Sequence, residues 1–249
     1  MPDLSESRIE PSPETLDAVR KWLAPVRLAV HEEFLAAYLT GSVLTQGFDA
    51  KRSRTNVVVL TESLPDTALE ALAKALPDPR DARIDPLFLS RRQLEKSLDT
   101  FPIEYLEMKE RHLLLEGEDV LASIEVPRAH LRLQCEHELR GKHIQLRQFL
   151  LYNWSRPSRL GESLAASASG FATLFRTLLR LQGESPPAEP AQVVQRVADV
   201  FKLDAQGLLG AHLAKNAGFD PREDVLAIYR RFNAEIERLI QAIDELLVP

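Results

Sequence analysis

Two stretches of this 249-residue chain hold side chains whose types and spacing suit the handling of anions. The first is Tyr38-Leu39-Thr40-Gly41-Ser42, followed by Gly47-Phe48 and then by Ser53-Arg54-Thr55-Asn56-Val57-Val58-Val59-Leu60. A strand that breaks at Gly41-Ser42 and begins a helical turn over Val43-Leu44-Thr45-Gln46 reads either as an ordinary strand-ending turn or as a phosphate site built from the N–H groups of a helix start. Arg54 carries a planar guanidinium whose fork of donors matches phosphate oxygens. The second stretch is a helix from Arg128 that carries Arg132, Arg140, Lys142, His143 and Arg147. Arg140, His143 and Arg147 fall at three- and four-residue spacing and share one face. With Glu136 and Glu138 nearby, the ordinary expectation is a solvated face laced with ion pairs. The functional expectation is that Arg140, His143 and Arg147 border a cleft and meet an anionic ligand.

These residues need elements to hold them. Pro11-Ser12-Pro13 reads as a helix start, with Ser12 as N-cap and Pro13 at the first helical position. Val19, Trp22, Leu23 and Val26 carry that helix to about Phe34. Strands are expected over 36–40, 56–61, 82–89 and 112–115, and the run from Asn56 to Thr61 reads as a buried strand. Helices are expected over 65–76, 94–98 and 104–109. After Ser123-Ile124-Glu125-Val126-Pro127 the pattern becomes helix after helix, over 128–154, 158–181, 190–202, 204–215 and 221–247. Residues 183–190 hold three prolines and read as a loop. Asp220 ahead of Pro221 reads as the last N-cap. The expected domains are 1–126 and 127–249.

Gly41-Ser42, the serine eleven residues later at Ser53 and the valine run together resemble the core signature of the nucleotidyltransferase fold, as in aminoglycoside adenylyltransferases. The resemblance covers about residues 12–120 by motif, while 127–249 matches only in being helical and of suitable length. It implies an α+β fold class: a small mixed sheet with flanking helices, then an all-helical bundle, with an acceptor substrate in the cleft between them. It also implies that Gly41 lets the backbone approach a triphosphate and that the Ser42 hydroxyl binds a phosphate oxygen. The nucleotide- or phosphate-binding set is then Gly41, Ser42, Gln46, Arg54 and Asn56. In the resembled family the second strand reads Ser-Asp-x-Asp, and its two aspartates hold catalytic magnesium. Here those positions are Arg54 and Asn56. Asp85 is the candidate for the family's third carboxylate and joins Arg140, His143 and Arg147 as the cleft-facing set, and Asp49 lies before the strand.

A single carboxylate is a poor magnesium site. The expectation is therefore a degenerate member with no cofactor and no catalytic residue. It would act by binding a nucleotide, a small phosphorylated molecule or a protein partner. Arg54 beside the lost metal position could supply the positive charge that the metal did, although pairing with Asp49 or Asp85 is its plainer fate. The alternative is an active nucleotidyltransferase with a rebuilt magnesium site, modifying a small molecule such as an aminoglycoside. A third reading rests on Arg132 and His137, whose spacing is that of HEPN-type ribonucleases.

The remaining features set bounds. A net charge of −6 argues against general nucleic-acid binding. The lone Cys135 permits no internal disulfide and suits a reducing compartment, and its apolar helix face reads as a buried thiol without reactivity. Trp22 and Trp154 read as core or domain-interface anchors rather than stacking platforms. Glu104 and Glu107 read as a solvated helix or as cleft residues. No run of about 18 apolar residues predicts a membrane span, and the polar, acidic N-terminus predicts no signal peptide. The expected location is the cytoplasm.

Overall fold

A computed structural model describes residues 9–45, 48, 53–76, 83–217 and 224–246. The chain divides into two compact units, Met1–Val126 and Pro127–Pro249.

In the first unit, helix α1 (Pro13–Val30) starts as its sequence dictates, with the Ser12 hydroxyl accepting from the Thr15 N–H at 3.2 Å. It stops at Val30, short of Phe34, because His31 adopts φ 49° and a 3-10 turn over His31–Glu33 follows. Phe34 instead opens strand β1 (Phe34–Thr40). A second 3-10 turn, Gly41–Leu44, leaves the end of β1. The remaining elements are β2 (Thr55–Thr61), α2 (Asp66–Ala75), β3 (Ile84–Ser90), α3 (Arg91–Lys96), α4 (Pro102–Glu110), β4 (His112–Gly117) and α5 (Val120–Ser123). Helix α3 begins three residues before its expected start, because Ser90 and Gln93 form a reciprocal capping box there.

The four strands form one mixed sheet in the order β3-β2-β1-β4. β1 is antiparallel to β2 and to β4, and β2 is parallel to β3. Both faces of the sheet are covered, which is why the central run Val57–Leu60 is continuously apolar. Ala37, Leu39, Val57 and Val59 pack with Val19, Trp22, Leu23 and Val26 of α1 and Leu72 of α2. Ala36, Tyr38, Val58 and Leu60 pack with Leu94, Tyr105, Val120 and Leu121. Trp22 is the packed anchor expected of it and lies 6.3 Å from Phe88, ring to ring.

The second unit contains α6 (Arg128–Asn153), α7 (Pro157–Leu181), α8 (Pro190–Phe201), α9 (Ala205–Ala217) and α10 (Val225–Asp244). Helix α7 is central and packs on the other four. Phe171 and Phe175 of α7 and Phe232 of α10 are buried together, with Phe171 edge-on to Phe232 at 5.1 Å. Cys135 is fully buried, and burial, assisted by the charge of Glu138, pushes its thiol up to about 12. Two expectations need correction. Trp154 is 61% exposed at the end of α6 and is no core anchor. Helix α10 begins at Val225, where the Asp224 carboxylate accepts from the N–H groups of Leu226 and Ala227, so Asp224 is its cap. Asp220 and Pro221 lie outside the described residues.

Candidate functional site

The sheet register gathers the first set of residues. Thr40 pairs with Asn56 across β1 and β2, Asn56 with Asp85 across β2 and β3, and Thr40 with His112 across β1 and β4. Register partners point to the same side of a sheet. Asp85, Asn56, Thr40 and His112 therefore form one transverse row at the end where β1 exits and the other three strands begin.

The chain leaves this row through Gly41, whose φ is +78°. A Cβ placed there would stand 3.0 Å from Asn56 Nδ2, so glycine both makes the turn and admits the asparagine amide. Val43 and Leu44 are buried and pin the turn to the core, while Ser42 stays exposed. The Ser42 carbonyl accepts from Thr45 N–H at 3.0 Å and from Thr45 Oγ1 at 2.9 Å, which closes the turn. Gln46 and Asp49 lie outside the described residues.

Arg54 is exposed and donates from Nη2 to the Ile84 carbonyl at 3.0 Å, crossing from the start of β2 to the start of β3. Asp85 makes no ion pair among the described residues, so pairing with Asp85 is not what holds Arg54. The donor set suits magnesium poorly. A guanidinium and an amide stand at the resembled metal positions, one carboxylate stands beside them, and Mg²⁺ favours several acidic or water oxygens. Among the described residues no group of three or more His, Cys, Asp or Glu side chains could hold a metal ion.

Three neighbours escape a reading of the sequence. Arg83 and Arg111 immediately precede β3 and β4, as Arg54 precedes β2 by one residue, so an arginine introduces each strand that starts at this edge. That pattern is visible only once the strand starts are known. His112 closes the row. Its Nδ1 meets the Met108 carbonyl at 2.8 Å, its Nε2 meets Asp119 Oδ1 at 2.9 Å, and its ring stands edge-on to Tyr38 at 5.3 Å. Burial raises the Tyr38 phenol above its ordinary value, while hydrogen bonds from the Leu121 and Val120 N–H groups act the other way.

The second set lies on α6. Arg140, His143 and Arg147 line a pocket of about 420 Å³ with Ile144 and with Glu237, Ile240, Gln241 and Asp244 of α10. Asp85 belongs to the sheet row and does not line this pocket. Arg140 Nη2 donates to both Asp244 carboxylate oxygens at 2.7 and 2.6 Å and its Nε donates to Glu136 at 3.0 Å, so the ion-pair expectation describes it well. His143 Nε2 stands 3.2 Å from Glu237 Oε1, yet the approach is too bent for a hydrogen bond. Arg132 donates to Glu136 and to the Ile243 carbonyl, each at 3.1 Å. His137 is exposed and lies about 140° further around the helix. On α4, Glu104 is exposed and Glu107 half-buried.

No protein-family model and no curated protein matches this sequence. A solved structure does: the spectinomycin adenyltransferase AAD(9) from Enterococcus faecialis with ATP and spectinomycin is similar over 90% of this chain and 98% of that one. The TM-score is 0.53 and the sequence identity 15%. The chain has the nucleotidyltransferase fold. At that identity the likeness is one of architecture, and within this nucleotidyltransferase fold the side chains at the Gly41-Ser42 edge speak for themselves. No described helix is long and apolar enough to cross a membrane.

Proposed function

We propose that this nucleotidyltransferase-fold protein binds a nucleotide or another small phosphorylated ligand at the Gly41-Ser42 edge of its sheet, without magnesium-dependent transfer. The observation that carries the reading is the packing of the Asn56 amide against Gly41, with Arg54 two residues before Asn56, where the fold's usual chemistry needs carboxylates. The similar adenyltransferase structure contains ATP, which makes a nucleotide the first ligand to try. In this reading the exposed Ser42 hydroxyl, the turn N–H groups and the Arg54 guanidinium meet phosphate oxygens, and Asn56 offers an amide donor. The edge then carries the positive charge that a phosphate tail requires. Among the described residues Asp85 is the single carboxylate of the row, which supports a reading in which the ligand is held and released unchanged.

The test is calorimetric titration of ATP and GTP with a chelator present. Saturable heat is expected, with affinity lowered about tenfold or more by Arg54→Ala, since a hydrogen bond to a charged group contributes about 1.5–3 kcal/mol. Absence of heat at millimolar nucleotide rejects the proposal.

A second reading draws on Asp85, a carboxylate in register with Asn56 and without an ion pair among the described residues. That geometry would serve an active transferase with a rebuilt metal site acting on a small-molecule acceptor. Incubation with labelled nucleotides, magnesium and candidate acceptors decides it. No pyrophosphate is expected, and release that is lost in Asp85→Asn would install the transferase reading instead.

A further inference from the structure

The pocket between α6 and α10 has a different character from the sheet edge and does not depend on it. Its two helices run antiparallel in their pairings: Arg140 meets Asp244, and His143 lies beside Glu237. Further along, Arg147 is near enough to Tyr229 to lower its phenol against the larger upward effect of burial. The charges are unevenly answered. Asp244 is satisfied by two short hydrogen bonds from Arg140. Glu237 accepts a long one from Asn233 Nδ2 at 3.4 Å. Arg147 forms no ion pair among the described residues, and His143 Nε2 is buried without a hydrogen bond although the side chain keeps 12% exposure.

One buried ring nitrogen, His143 Nε2, with Glu237 beside it but no hydrogen bond, and one exposed cation, Arg147, thus line one pocket of about 420 Å³. A buried polar atom left unpaired is costly, and an arriving acceptor recovers that cost. The volume is that of a small-molecule site, and Ile144 and Ile240 give it apolar walls beside the polar end. We infer that this pocket is a binding site for a small organic oxyanion, a carboxylate or a phosphate monoester. Its charged group accepts from Arg147 and His143 Nε2, and its apolar body lies against Ile144 and Ile240. Arginine suits either oxyanion, because its planar fork matches both. Two carboxylates also line the pocket: Asp244 is answered by Arg140, whereas Glu237 opposes the anion, which must displace it from beside His143 Nε2.

The experiment follows the His143 ring signals of the full chain by NMR during titration with benzoate and, separately, with phenyl phosphate. A saturable shift with at least one probe is expected. Arg147→Gln should weaken binding about tenfold or more. Glu237→Gln should tighten it, an effect that a merely structural role for Glu237 would not produce. A response to benzoate alone assigns a carboxylate ligand, a response to phenyl phosphate alone assigns a phosphate ester, and a response to both assigns a general oxyanion site. Silence of His143 with both probes at millimolar concentration overturns the inference, as does unchanged affinity in Arg147→Gln. Ser42→Ala separates the two sites: loss of the His143 response there would move the anion to the sheet edge and reject this pocket. Failure of ATP to bind at Gly41-Ser42 would leave the pocket untouched.

Discussion

Gly41 answers two demands, a φ of +78° and an amide nitrogen 3.0 Å from where a side chain would begin. Gly41→Ala is therefore expected to destabilise the chain by about 1 kcal/mol or more, read from the urea midpoint. Adding Asn56→Ala should recover the steric part of that loss and leave the backbone part. A second residue-level prediction concerns the missing acids. The double change Arg54→Asp with Asn56→Asp puts carboxylates in the register positions beside Asp85, and magnesium affinity should then appear in a calorimetric titration where the unaltered chain shows none. The break at Gly41-Ser42 is legible in the sequence because glycine after a short apolar strand is a local signal. The contact between Gly41 and Asn56 is not, since it depends on which residues of β1 and β2 face each other. Arg83 and Arg111 escape notice for a related reason. Their meaning lies in standing before strands whose starts are set by pairing, and Ile84 and His112 carry no mark of it in sequence.

Among the elements, the strands and long helices are legible because their apolar periodicity is local, and their ends are less so. Two aspartates compete to cap α10. Asp220 is followed by proline, the stronger local sign, but Asp224 is the one from which Val225, Tyr229, Phe232 and Ile236 reach the core. Packing settles what propensity leaves open. Asp224→Ala should cost about 1 kcal/mol in the urea midpoint, the usual value of an N-cap. The sheet has its own fastening. Tyr38 Oη donates to the Glu118 carbonyl at 2.7 Å and accepts from the N–H groups of Val120 at 2.8 Å and Leu121 at 3.4 Å, tying the centre of β1 to the segment after β4. Tyr38→Phe keeps the ring and strands those buried N–H groups, so a loss of about 1–3 kcal/mol is expected from chemical denaturation.

For the whole molecule, pH acts through Cys135. Its thiol is held up at about 12 in the fold, whereas an exposed thiol ionises near 8.5. The folded state then binds more protons than the unfolded one through this interval. The contribution is complete below about pH 8 and is lost as pH rises toward 12, and a decline on the order of 1 kcal/mol is expected between about pH 8 and about pH 10. Tyr38 and Tyr229, whose phenols are also raised, act in the same direction at higher pH, so the Cys135 share is the part of the decline that Cys135→Ala removes. The Tyr38 fastening also bears on how the chain is made. Strands β1, β2 and β3 are all available once Ser90 has left the ribosome, but the Tyr38 hydroxyl has no partner until Glu118 to Leu121 follow. The first unit thus lacks its closing bonds for the whole time that α3, α4 and β4 are being synthesised. A ribosome paused within that stretch would carry an open sheet, with the unpaired edge of β1 exposed to any other nascent strand.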